Sequence, residues 1–526
     1  MTAATFDCDV LVIGSGFGGA VSALRLSEKG YRVAVLEMGK RWRAEDFPAT
    51  NWNVRKYLWN PALKLHGILQ MTVLRHCVAL HGAGVGGGSL VYANTLVQPD
   101  EAVLRDARWP AEVDWPAALA PHYATARRML GAATAPRVFA ADELLREEVE
   151  AETGRPAALR RHEVAVYFGE PGVAAPDPYF GGAGPARAGC IFCGACMTGC
   201  KHGAKNTLDR NYLWLAEKLG CEIHPETRVT DVRPAPGGGY AVRAVRSTAW
   251  ILRRPRTWRA RRVVFAAGTL GTVKLLLACK ARGSLPGLSE RLGDLVRTNS
   301  EQLIGAIARG RDVDFSEGIA ITSGVDVDAR THAEIVRYGK GQDFLSVLTT
   351  HLTPDAPPWP RWVRWLAGLV RHPMRDARVH LARDWAARTL ILLVMQPVES
   401  WMRLRLHRVR GLRSEDAHGP PPPTTIPVAH RLARRLAARV DGTPGNLVLE
   451  VLGNRSTTAH ILGGAVIASD PSRGVADAHG RIFGHEGLYV ADGSAVPGNL
   501  GVNPALTITA LAEHVMQAVP RKGDGS

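Results

Sequence analysis

Several groups of residues in this 526-residue chain have types and spacings suited to chemistry. Gly14, Gly16 and Gly19 form G-x-G-x-x-G, directly after the apolar run from Asp9 to Ile13 and before apolar residues at helical spacing from Ala20 to Leu26. In such a strand–turn–helix the first glycine permits a tight turn and the second lets the backbone approach a pyrophosphate. The third lets helix and strand pack closely, with the helix N-terminus facing the phosphates. Glu37 ends a second buried run, Arg32 to Leu36, about 20 residues further on, where a carboxylate accepts the hydroxyls of an adenosine ribose. The set predicts a bound dinucleotide.

Cys190, Cys193, Cys196 and Cys200 stand as C-x2-C-x2-C-x3-C. The spacing resembles a bacterial ferredoxin run, whose thiolates hold an iron–sulfur cluster. Were the segment helical, steps of about 100° would bring all four thiols into an arc of about 120°. Lys201 and His202 follow, and positive charge favours thiolates. In ferredoxins the fourth cysteine serves a second cluster and precedes a proline. Here Lys201 follows it and no second run exists, so one cluster needs all four local thiols or a remote one such as Cys77 or Cys221. Zinc, usually held by two separated pairs, and free thiols or disulfides remain as alternatives.

Further candidates lie in glycine-rich turns. Gly82, Gly84, Gly86, Gly87 and Gly88 precede Ser89 in a loop whose backbone can lie against a flat ligand or phosphates. AAGTLGT, residues 266 to 272, reads as a small-residue strand-to-helix turn suited to the same purpose. His460 stands just before Gly463-Gly464, and a histidine there is suited to take a hydroxyl proton near neutral pH. A strand ending at Ala491 delivers Asp492 and Gly493 to a loop with Asn503, then a closing helix.

These residues need elements to place them. The length suits two or three domain-sized units. A helix is expected from Asn206 to Leu219, strands at Val229 to Val232 and Val263 to Ala266, and a hairpin turn at Gly237 to Gly239. Residues 290 to 450 alternate strand-like runs (Ile304 to Ala308, Leu390 to Met395, Met402 to Leu406) with loops, which predicts a substrate-facing antiparallel sheet. Within it, residues 357 to 380 interleave Trp359, Trp362 and Trp365 with arginines, the pattern of a helix lying at a lipid interface, or of an ordinary helix packing its tryptophans inward. The net charge of +16 favours anionic partners such as a membrane surface or an acidic redox protein. No nucleic-acid motif appears, so no nucleic-acid partner is expected. No apolar run is long enough to span a bilayer and no secretion signal precedes the first strand, so the expected location is the cytoplasm, with peripheral membrane contact through 357–380.

Four stretches together, GSGFGGAVSALRLSEKGYRVAVLEMG, GVGGGSLV, AHILGGA and LYVADGSAVPGNLGVNPALTITALAE, resemble the glucose-methanol-choline (GMC) family of flavin oxidoreductases, in its cholesterol oxidase branch. The resemblance implies an α/β chain with FAD in a discontinuous Rossmann-like domain built from 1–110, 205–290 and 453–526. It further implies a connecting region with the cysteines at 111–204 and a substrate domain at 291–452 whose mainly antiparallel, six-stranded-type sheet covers the flavin. FAD contacts are then expected at Gly14, Gly16, Phe17, Gly18, Gly19, Glu37, Gly82, Gly84, Gly87, Gly88, Ser89, Asn94, Val229, Ala267, Gly268, Asp492, Gly493, Asn503 and Pro504. The family's reaction is hydride transfer from an alcohol carbon to flavin N5, with His460 and Asn503 matching the active-site pair. THAEIVRYG, residues 331 to 339, resembles the segment whose glutamate moves a proton during sterol double-bond isomerisation, which points to Glu334. Typical small cholesterol oxidases lack the four cysteines, whereas some GMC dehydrogenases carry cysteine-bound clusters. A 4Fe–4S or 3Fe–4S cluster would make a redox carrier, rather than oxygen, the electron acceptor. The implied substrate is a 3β-hydroxysterol; the alternatives are a sugar or natural-product alcohol, or a catalytically silent flavin protein that relays electrons or binds lipid.

Overall fold

A computed structural model describes residues 6–251, 253–380 and 382–524. The first strand, Cys8–Ile13, is buried along its whole length, as a continuous apolar run must be when helices cover both faces of a parallel sheet. It lies between Val33–Leu36, with Val10 opposite Val33, and Arg256–Phe265, with Ile13 opposite Phe265. Glu222–His224 extends the parallel sheet at one edge and Leu488–Val490 joins beyond Phe265. The front half of Arg256–Phe265 instead pairs antiparallel with Tyr240–Arg246, which turns back through glycines 237–239 to Thr227–Pro234. The sheet thus draws strands from the beginning, the middle and the end of the chain. Helices Phe17–Glu28 and Ala505–Gln517 pack on it together.

The second sheet has seven strands, all antiparallel. From one edge the order is Thr349–His351, Thr443–Leu447, Gln302–Ile307, Thr389–Met395, Thr331–Val336, Ser323–Asp328 and Leu159–Arg161. Side chains alternate along each strand. Ala333 and Ile335 point into a core shared with helices Ala140–Thr153 and Pro427–Arg439. His332 and Glu334 therefore face the other way, away from those helices.

Some elements differ from the sequence reading. The helix expected from Asn206 runs only over Tyr212–Lys218, because Asn206 caps the Arg187 guanidinium and the Leu208 N–H is tied to Ser89. The run at Met402 to Leu406 is not in the large sheet; Arg403–His407 forms a separate hairpin with Gly411–Glu415. The large sheet has seven strands rather than six because Leu159–Arg161 joins it from the connecting region. The tryptophan-rich helix breaks at His372 into Arg361–Arg371 and Pro373–His380, since the residue before a proline is disfavoured in helical conformation. The cysteine segment is a loop with one 3₁₀ turn, Ala195–Thr198, not a helix.

Candidate active site

The glycine turn between Cys8–Ile13 and Phe17–Glu28 is closed on one side and open on the other. A Cβ on Gly18 would lie 1.5 Å from the Ala491 carbonyl, and one on Gly19 would lie 2.0 Å from that of Gly14, itself at φ +97° against Ala266. A Cβ on Gly16 would meet nothing within 4 Å among the described residues. The second glycine loop lies against the first, with a Gly87 Cβ falling 2.6 Å from the Gly16 Cα. Gly82 packs on Gly87, Gly84 on Leu90, and Gly88 lies near the Phe17 ring.

Ser15 joins the pieces. Its N–H and hydroxyl donate to Glu37 Oε2 at 3.1 and 2.7 Å, and the hydroxyl accepts from Gly86 N at 3.1 Å. Glu37 Oε1 accepts from Gly39 N at 2.8 Å. Burial raises the Glu37 pKa and these donors only partly offset it. The carboxylate retains lone pairs for a ribose hydroxyl.

The far side of the cleft is similarly cleared. Gly268, at φ +73°, starts the helix Gly268–Arg282, and a Cβ there would also meet nothing within 4 Å among the described residues. Asn94, at φ +71°, is fully buried, and neither its amide oxygen nor its nitrogen has a partner among the described residues. Two open helix N-termini and an orphaned buried amide fit a flavin dinucleotide. Ser89 and Asp492 are instead occupied with the chain itself. The Ser89 hydroxyl donates to Gly86 O at 2.7 Å and accepts from Leu208 N at 3.0 Å. Asp492, an expected FAD contact, accepts from Thr272 Oγ1 at 2.6 Å and from Ser494 N and Oγ at 2.9 and 2.5 Å. Ala267 N donates to Thr272, Gly493 opens a 3₁₀ turn, Pro504 caps Ala505–Gln517, and Val229 sits at a bulge in Thr227–Pro234.

Three polar side chains, His460, Asn503 and Glu334, come together. His460, just past strand Ser456–Thr458, places Nδ1 2.9 Å from Glu301 Oε2. Glu301 is held by the Thr458 hydroxyl at 2.9 Å and by Ala459 N at 3.2 Å. Burial lowers the His460 pKa, but Glu301 more than reverses this, with Glu334 adding to it, and the net shift is upward. Asn503 Nδ2 donates to Glu334 Oε2 at 3.1 Å, and its Oδ1 has no partner among the described residues. Glu334 is fully buried, not the exposed strand carboxylate that its sequence context most commonly gives. Burial opposes its charge, yet His162 and His332 beside it hold its pKa below the usual carboxylate range.

A neutral His460 can accept a hydroxyl proton, whereas a protonated one cannot. With His460 as the proton acceptor, activity is expected to rise with pH through its raised pKa. Glu301→Gln removes the carboxylate and should move this acid limb of kcat/KM to lower pH by about one unit or more. A pH–rate profile of variant and wild type checks the direction.

Ser15 lies within the glycine motif and His332 within THAEIVRYG, whereas Glu301 and His162 carry no motif and only their folded positions reveal them. The same holds for Lys205. Its buried ammonium donates to the carbonyls of Leu90, Tyr92 and Cys196 at 3.2, 2.9 and 2.8 Å, tying the glycine loop to the cysteine loop. Burial lowers its pKa to about 8. Cys190, Cys193, Cys196 and Cys200 are free thiols around one small cavity. Among the described residues no three of their sulfurs lie within 4.8 Å of one another. A single zinc ion with bonds of about 2.3 Å would draw four sulfurs to within about 4 Å of each other.

Residues 426–512 match the family model described as GMC oxidoreductase, and residues 9–50 match that of the FAD binding domain. The chain belongs to the GMC oxidoreductase family and is an FAD-dependent alcohol oxidoreductase. Its relatives include a cholesterol oxidase of Acinetobacter baumannii, 45% identical over 99% of this chain and 96% of that one. A cholesterol oxidase of Mycobacterium tuberculosis (strain ATCC 25618 / H37Rv) is 47% identical over 98% and 92%. Among solved structures, pyridoxine 4-oxidase from Mesorbium loti superposes with a TM-score of 0.60 at 14% identity, covering 97% of this chain and 99% of the other, which is a likeness of fold alone.

Proposed function

We propose that the enzyme oxidises the hydroxyl-bearing carbon of a 3β-hydroxysterol. The observation that carries this is the convergence of His460, Asn503 and Glu334 beside the glycine-lined cleft, in a chain 45–47% identical to cholesterol oxidases over nearly its whole length. The FAD-binding domain is assembled from 1–110, 205–290 and 453–526, and FAD, when bound, supplies the hydride acceptor. His460, oriented by Glu301, takes the hydroxyl proton, and Asn503 holds the substrate oxygen. Glu334 carries a proton between ring carbons in the isomerisation step. Anaerobic mixing of the flavin-loaded enzyme with cholesterol should bleach the flavin, and a panel of sugar alcohols should not. Bleaching by sugars alone would sink the sterol reading.

Two finer readings accompany it. The four cysteines hold an iron–sulfur cluster, supported by their C-x2-C-x2-C-x3-C spacing and their arrangement around one cavity. Iron and acid-labile sulfide at three or four per flavin in anaerobically purified protein are expected; flavin with neither would remove the cluster. An acceptor assay with oxygen, an artificial dye and a carrier protein then shows which one the enzyme uses.

The second reading is peripheral membrane binding through 357–380. No helix among the described residues is long and apolar enough to cross a membrane. Trp362, Leu366 and Val370 form an exposed apolar row on Arg361–Arg371, with Trp359 and Met374 exposed beside it, while Trp365 turns inward to donate to Thr350. Co-sedimentation with anionic vesicles should fall several-fold on Trp359→Ala/Trp362→Ala while activity on detergent-dispersed sterol is kept.

A further inference from the structure

We propose that His162, His332 and Glu334 form a binding site for one divalent cation of the zinc class. Two of the ligand atoms come from one strand of the antiparallel sheet and the third from just past its edge strand, and all lie within 4.8 Å of one another. Glu334 and His332 are two apart on Thr331–Val336, so they share a face. His162 directly follows Leu159–Arg161, the edge strand on the far side of Ser323–Asp328. All three side chains are at least nine-tenths buried.

The pairing chemistry is incomplete without a positive charge. His332 Nδ1 lies 2.7 Å from Asp326 Oδ1, so in the neutral ring Nδ1 carries the proton and Nε2 presents a lone pair. That lone pair lies 3.4 Å from Glu334 Oε1, which His162 Nε2 approaches to 2.9 Å. Neither contact is aligned as a hydrogen bond. His162 Nε2, His332 Nε2 and Glu334 Oε1 are all buried without an aligned partner among the described residues. Two imidazole nitrogens and one carboxylate oxygen are a usual zinc set, and a carboxylate behind one imidazole is the usual outer support. Gly324 clears the space. Its backbone is outside the left-handed region, yet a Cβ there would fall 2.4 Å from His332 Nε2 and 2.6 Å from His162 Nε2.

An ion held there ligates Glu334 and takes it out of proton chemistry while leaving His460 and Glu301 untouched. Metal loading then separates oxidation from isomerisation, a consequence that rests on the proton role proposed above for Glu334; the binding site itself does not depend on that role.

The test is equilibrium dialysis of chelator-treated, flavin-loaded enzyme against zinc chloride, with zinc per flavin measured in wild type, His162→Ala, His332→Ala and Gly324→Ala. Taking the difference from wild type removes zinc held by the cysteines. The expected result is one zinc more per flavin in wild type than in either histidine variant. Gly324→Ala, which keeps all three ligands, should lose most of it too. Asp326→Asn should weaken binding about 10-fold or more. Equal zinc in wild type and in flavin-replete histidine variants would overturn the site and leave a cluster satisfied by protons alone. Zinc binding without any change in product ratio would keep the site and remove the role of Glu334.

Discussion

Replacing His460 by alanine should lower kcat by about 10²- to 10⁴-fold while FAD remains bound, the usual contribution of a positioned acid–base group. The expectation rests on where the imidazole is held. Glu301 lies 2.9 Å behind it, and Thr458 and Ala459 hold Glu301 in turn, so the ring has a charged partner in place before substrate arrives. Alanine also strands a buried Glu301 carboxylate, which is destabilising in its own right. His460→Gln is therefore the companion variant, since its amide can still donate to Glu301. Rapid-mixing measurement of flavin reduction checks both. If flavin-replete His460→Gln reduces at more than a tenth of the wild-type rate, His460 is not the proton acceptor.

The second large effect is structural. Gly18→Ala should cost at least about 3 kcal/mol, at or beyond the upper end of ordinary overpacking, because the new methyl would sit on a backbone atom. That atom, the Ala491 carbonyl, cannot retreat easily: Ala491 N donates to Phe265 O at 3.1 Å and fixes the residue to the parallel sheet. Gly16→Ala makes the opposite prediction. Its methyl points into open space and should leave stability nearly unchanged while FAD affinity falls, since this is where a pyrophosphate approaches the backbone. Thermal unfolding and flavin content, measured on both variants, separate packing from binding. Equal loss of stability in the two would contradict this division of labour.

The parts of the site that were legible in sequence are those whose chemistry is local. The turn at Gly14 to Gly19 needs its glycines within a few residues of each other, and Cys190 to Cys200 must be close in sequence to enclose one cavity. Glu301 and His162 act on His460 and Glu334, far away along the chain, and an isolated carboxylate or imidazole has no periodicity to betray it. The same limit explains the misplaced elements. Apolar spacing from Asn206 onward is compatible with a helix, but Asn206 and Leu208 are claimed by Arg187 and Ser89, contacts that exist only once the chain has folded. Met402 to Leu406 alternates like a strand of the large sheet, and only its pairing with Gly411–Glu415 assigns it elsewhere.

The parallel sheet is completed by Leu488–Val490, and its first helix is covered by Ala505–Gln517. At synthesis rates of about 5–20 residues per second, the strand Cys8–Ile13 leaves the ribosome on the order of half a minute or more before the sheet's last strand, which pairs with Arg256–Phe265. Through that interval the buried end of Arg256–Phe265 is an open edge in an unfinished sheet, exposed to mispairing. The enzyme is thus expected to take up FAD only after release, and chaperone occupancy on nascent chains should persist until the last strand and helix emerge. A truncated chain ending before Leu488 should retain no flavin, however complete its glycine turn.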